Sequence, residues 1–173
     1  MLITRRAGYG AAWGTQHTKN CGLPMQGPGQ TIGRAELAAV EEVLLRGERP
    51  ARIRVDNAWV VGGVQILLAG HPPDPLWEHL DIWVRVWDIL QTRANPVRVQ
   101  EVKGNLEYEL IAAGKGTEDG RKGNGLADDK AKAGIREHEK IWEANEACAS
   151  LRNLALKTHR MMVEIVLARA AVL

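Results

Sequence analysis

The chain has 173 residues, with 23 Lys and Arg against 21 Asp and Glu. One domain is the default at this length, and a net charge of +2 is too small to mark a nucleic-acid binder by itself. Cys21 and Cys148 are too few and too far apart for a disulfide framework or a zinc site. No apolar run is long enough to span a membrane, and Met1–Arg6 lacks the apolar segment of a signal peptide. A reduced intracellular compartment, cytoplasm or nucleus, is expected. In chain order, Ala7–Trp13 reads as a strand with glycines at points of close approach, and Gly14–Gly29 as a turn, a weak strand and a loop. Arg34–Arg46 carries Leu37, Val40 and Leu44 at helical spacing and stops at Gly47. Arg52–Val55 alternates as a half-buried strand does. Trp59–Ala69 is an apolar helix closed by Gly70 and three prolines, and Leu76–Leu90 is an amphipathic helix. Val97–Val102 alternates again. Lys103–Gly125, rich in Gly and Lys, reads as a long loop with a short helix at Leu106–Ala112. Helices are then expected at Leu126–Ala133, Ile135–Ala147 and Leu151–Val172. In the last, Leu151, Leu154, Thr158, Met161, Ile165 and Ala168 share one face. Strands alternating with helices favour a layered α/β domain.

Three acids stand in unlike surroundings: Glu36 early in a helix, Asp56 at the end of a strand, and Asp128 at the start of a helix. Taken singly each has an ordinary explanation. Asp56 before Asn57 suits a turn or helix cap, Glu36 suits a solvated helix face, and Asp128 beside Asp129 suits the first turn of a helix. Carboxylates brought together from different elements suit Mg²⁺, which prefers hard oxygen ligands and keeps several waters. His71 and His79, eight apart with prolines between them, do not match a helical metal pair and read as surface. Trp77, Trp83 and Trp87 form a stripe that is ordinarily core, although such a stripe can also stack bases. Basic side chains recur at Arg52, Arg54, Lys103, Lys115, Arg121 and Lys122.

The motifs around the acids change their weighting. Gly8-Tyr9-Gly10-Ala11-Ala12-Trp13 resembles the second strand of ribonuclease H. Thr31-Ile32-Gly33-Arg34-Ala35-Glu36-Leu37 resembles that family's T-x-x-R-x-E-L motif. Asp56-Asn57-Ala58-Trp59-Val60 resembles D-S-x-Y-V, Val102-Lys103-Gly104-Asn105 resembles V-K-G-H, and Asn124-Gly125-Leu126-Ala127-Asp128 resembles N-E-x-A-D. The resemblance runs from about Ala7 to Gly134, and its flavour is that of the domain carried by retroelement reverse transcriptases. It implies a three-layer α/β fold with a mixed sheet over residues 1–134, followed by C-terminal helices over 135–173.

The same resemblance implies metal-dependent endonucleolytic hydrolysis of RNA in RNA–DNA hybrids. Glu36, Asp56 and Asp128 would hold Mg²⁺ (or Mn²⁺), and Asn105 would join them as the fourth site residue. Thr31, Asn57, Trp77, Lys103 and Asn124 would touch the hybrid, read through its shallow minor groove and 2′-hydroxyls. An upstream reverse transcriptase domain in a longer protein is the expected partner besides nucleic acid. Three departures qualify this. The family's first strand, with its Asp-Gly-Ser motif, has no counterpart in Met1–Ala7, which contain no acid; an N-terminally incomplete or decayed copy is expected, with a defective central sheet. Asn105 stands where the family has a histidine, and Asn cannot titrate near neutral pH. Gly125 replaces the family Glu. Little or no cleavage by this chain is therefore expected, and the alternative is a non-catalytic nucleic-acid-binding or structural remnant of a retroelement polyprotein.

Overall fold

The computed structural model describes residues 6–27, 29–103, 117–138 and 142–170. Its elements are β1 (Gly8–Ala11), β2 (Cys21–Pro24), α1 (Ile32–Arg46), β3 (Ala51–Val55), α2 (Ala58–Leu68), α3 (Leu80–Thr92), β4 (Val97–Glu101), α4 (Glu118–Glu137) and α5 (Trp142–Ala170). They divide into two compact units, Met1–His138 and Glu139–Leu173.

Local chemistry sets the element ends. The Thr31 hydroxyl accepts from the Arg34 N–H at 3.2 Å and opens α1, supplying one of the orphan donors of a helix start. Gly47 closes α1 through its N–H to the Val43 carbonyl. Leu76–Trp77 lies outside α3. The Asp74 carboxylate accepts from the Leu76 N–H at 2.8 Å and its carbonyl from the Trp77 N–H, which makes a side-chain-supported turn. α3 then starts after His79, which is held in the left-handed region at φ 61°.

The described residues of the first unit form two small sheets. β1 and β2 pair antiparallel, with Gly10 opposite Gly22, and β3 and β4 pair parallel, with Ile53 opposite Val99. Among the described residues no ladder joins the two pairs. They are held by helix packing instead: α1 lies against both β1 and β3, and α2 packs on β3 and β4. Leu37, Val40, Ile53, Val60, Val64, Leu67, Ile82, Trp83 and Val86 fill the core between them. Full burial of side chains of this kind contributes on the order of 1.5–3 kcal/mol each.

The hairpin is a layer between two helices. Side chains alternate along a strand, so Tyr9 turns to the core while Gly8 and Gly10 turn to α4. A Cβ at Gly8, Gly10 or Gly22 would strike the backbone of Ala131, Ala127 or Lys130, and one at Gly134 would strike the backbone of Leu23. The glycines are what let helix and hairpin touch backbone to backbone.

Three expectations for the C-terminal part are corrected. Residues 118–125, expected in a loop, form the first turns of α4. Thr117 caps them by accepting from the Gly120 N–H at 3.1 Å, and Glu118 and Asp119 suit the positive helix start. The expected break at Gly134 is absent because that glycine is a packing contact inside α4, and the expected break after Ala147 falls inside α5. The short helix expected at residues 106–112 lies outside the described residues. In the second unit Leu151, Leu154, Met161 and Ile165 on α5 are exposed.

Candidate functional site

Glu36, Asp56 and Asp128 come from α1, the turn after β3 and the middle of α4. Their placement follows from motifs already met. Asp56 leaves the strand at its C-terminal end, where the next residue begins a helix. Asn57 is the N-cap of α2, its side-chain carbonyl accepting from the Trp59 N–H at 2.9 Å and more weakly from Val60. Its Nδ2 donates to Glu36 Oε2. One amide therefore starts a helix and fixes a carboxylate on another.

The electrostatics tie the three acids together. Glu36 is half-buried, and burial is the main cause that pushes its carboxyl above the usual range. The hydrogen bond from Asn57 opposes this, while the charges of Asp56 and then Asp128 add to the rise. Asp128 is exposed, yet the surrounding protein removes enough water to raise its carboxyl. The charge of Asp56 adds to this, Lys132 opposes it, and Asp129 adds a little more. The charge of Asp56 thus acts on both Glu36 and Asp128, and that of Asp128 acts on Glu36. Even so, among the described residues no three His, Cys, Asp or Glu side chains form a group that could hold a metal ion. The acids share one neighbourhood without being gathered into a coordination shell.

The other expected residues fall as follows. Thr31 caps α1 and meets His79 Nε2 at 3.1 Å. Asn124 precedes Asp128 by four residues on α4, so the two share a helix face. Lys103 is exposed just beyond β4. Asn105 lies outside the described residues. Trp77 is half-buried, edge-on to Trp83 with ring centroids 5.1 Å apart, while Trp83 is fully buried. The stripe is thus core at Trp83 and core margin at Trp77.

His79, expected on the surface, is largely enclosed. Its ring meets Trp59 edge-on at 6.1 Å besides contacting Thr31. Arg34 of the T-x-x-R-x-E-L stretch binds Asp81 on α3 with both terminal nitrogens, holding the start of α1 to α3. Neither contact carries a local signal, since the partners lie 48 and 47 residues apart.

This arrangement of α/β layers is a ribonuclease H-like fold. The chain is similar to the solution structure of the PFV RNase H domain, with a TM-score of 0.52 and 21% sequence identity over 76% of this chain and 82% of that one. No protein-family model and no curated protein matches the chain. Among the described residues no helix is long and apolar enough to cross a membrane.

Proposed function

We propose that the chain is a ribonuclease H-type domain of a retroelement protein, which binds RNA–DNA hybrids and cleaves the RNA strand with a divalent cation. The observation that carries this reading is the place of Glu36, Asp56 and Asp128 at motif positions of a ribonuclease H-like fold, with the charge of Asp56 acting on both Glu36 and Asp128. Their oxygens are hard donors suited to Mg²⁺ or Mn²⁺, and the raised carboxyls of Glu36 and Asp128 are what a cation among them would bring back down. When bound, such an ion supplies charge neutralisation at the leaving oxygen and acidifies a water. The protein's part is positional. Asn57 holds Glu36 through Oε2, Lys132 tempers Asp128, and Thr31, Asn57, Trp77, Lys103 and Asn124 are the candidates to orient the hybrid. Asn105, unlike a histidine, brings no group that titrates near neutral pH.

The test is a labelled RNA–DNA hybrid incubated with Mg²⁺ or Mn²⁺, beside single-stranded RNA, a variant Asp56→Asn, and a form with an acid-bearing strand added before Gly8. Cleavage confined to the hybrid, lost in Asp56→Asn and increased by the addition, supports the reading. Hybrid binding without cleavage by any form supports a non-catalytic binding domain instead. No binding and no cleavage overturns both.

A further inference from the structure

The two faces of the parallel pair β3–β4 are unlike. Ile53 and Val55 are buried in the core, with Val97 and Val99 packed against it. The opposite face carries Arg52, Arg54, Arg98 and Gln100, all exposed. The register sets Arg52 beside Arg98 and Arg54 beside Gln100. Neighbouring strands lie about 4.8 Å apart and alternate residues of one strand about 6.6 Å apart, so three guanidinium groups stand on one small flat patch. Among the described residues none of the three has an ion pair or a side-chain hydrogen bond. Like charges side by side on a sheet face are unfavourable, and among the described residues no carboxylate is paired with any of the three.

We infer that this arginine face is a second binding surface whose occupant is the phosphate backbone of a nucleic acid. Guanidinium forks match phosphate oxygens in pairs. The four outward side chains include no aromatic or aliphatic group, so the patch lacks the anchor with which a protein enters a lipid surface. The row is also placed for nucleic acid: Arg52, Arg54 and Asp56 follow at two-residue intervals, so it leads along β3 to the candidate site. Contacts of this kind position a strand without reading its bases. The inference shares with the proposed function only the class of partner, and it requires no cleavage, so the two can fail separately.

The test uses the full chain and fluorescent RNA–DNA hybrid, duplex DNA and single-stranded RNA, with anisotropy titrations over a range of KCl. The triple variant Arg52→Gln, Arg54→Gln, Arg98→Gln is expected to bind about tenfold or more weakly near 50 mM KCl, and the slope of log K against log salt is expected to shrink by about 2 to 3. The matching triple lysine variant should recover most of the loss. Far-ultraviolet circular dichroism and the melting temperature check that each variant is folded. Unchanged affinity and slope in a folded glutamine variant overturn the proposal. So does arginine-dependent sedimentation with phosphatidylserine vesicles in the absence of arginine-dependent nucleic-acid binding.

Discussion

Asn57 shows how much one side chain can carry. It caps α2 and holds Glu36, so Asn57→Ala removes a cap and strands a half-buried carboxylate. Loss of the cap alone costs about 1 kcal/mol, and urea midpoints should show at least that. The pH dependence of Glu36 has a definite sign. Its folded carboxyl is raised, so the native state holds its proton more tightly than the unfolded chain does. Stability from this group therefore falls as pH rises through and above the ordinary glutamate range near about 4.3. Glu36→Gln keeps an oxygen for Asn57 and sheds the charge. It should be more stable than the parent at neutral pH, with the difference vanishing in acid; a gap that persists at low pH would refute the assignment. Asp81 runs the other way. The Arg34 guanidinium lowers it to about 2, so its contribution is present above the ordinary aspartate range and is lost as pH falls toward 2. Asp81 is half exposed, with its side chain 51% accessible, so Asp81→Asn should cost no more than about 1 kcal/mol.

At the scale of elements, α4 gives paired predictions of opposite sign from one residue type. Gly123 and Gly125 face open space, whereas Gly134 meets the backbone of Leu23. Gly123→Ala and Gly125→Ala should each stabilise by roughly 0.5–1 kcal/mol through helix propensity. Gly134→Ala should destabilise by about 1–3 kcal/mol or more, because the atoms it strikes are backbone and cannot move aside alone. Thermal or urea melts of the three variants check this, and a stabilising Gly134→Ala would contradict the packing. The same helix marks where sequence stops being informative. The apolar period of α1 and the alternation of β3 and β4 were readable because each buries one face against a core. The start of α4 was not, because three glycines within six residues weigh against a helix locally, and only the cap at Thr117 and the packing on the hairpin outweigh them. The motif acids drew notice through the short stretches around them, not through any periodicity. The partners that fix their surroundings, Asn57 for Glu36 and His79 for Thr31, are joined across 21 and 48 residues and leave no periodic trace.

For the first unit, the consequence of two separate sheets among the described residues is that, there, the hairpin and the parallel pair are joined by side-chain packing and not by a continuous ladder. The candidate acids straddle this division. Asp56 follows β3, Asp128 rides on the helix that covers the hairpin, and Glu36 sits on α1, which touches both. Under the proposed function, a cation held among them would link parts of the unit that no backbone ladder joins among the described residues, and its binding would stabilise the folded state by mass action. An ion at ten times its dissociation constant adds about 1.4 kcal/mol, which for a chain of this size raises the melting temperature by about 3–6 °C. Calorimetry should therefore show a rise with Mn²⁺ or Mg²⁺ that Na⁺ at equal ionic strength does not reproduce. The rise should grow with pH as Glu36 and Asp128 lose their protons, and it should be smaller in Asp56→Asn and Glu36→Gln. A melting temperature indifferent to divalent cations, or a rise that survives in both variants, would separate the three acids from any metal role while leaving the ribonuclease H-like fold in place.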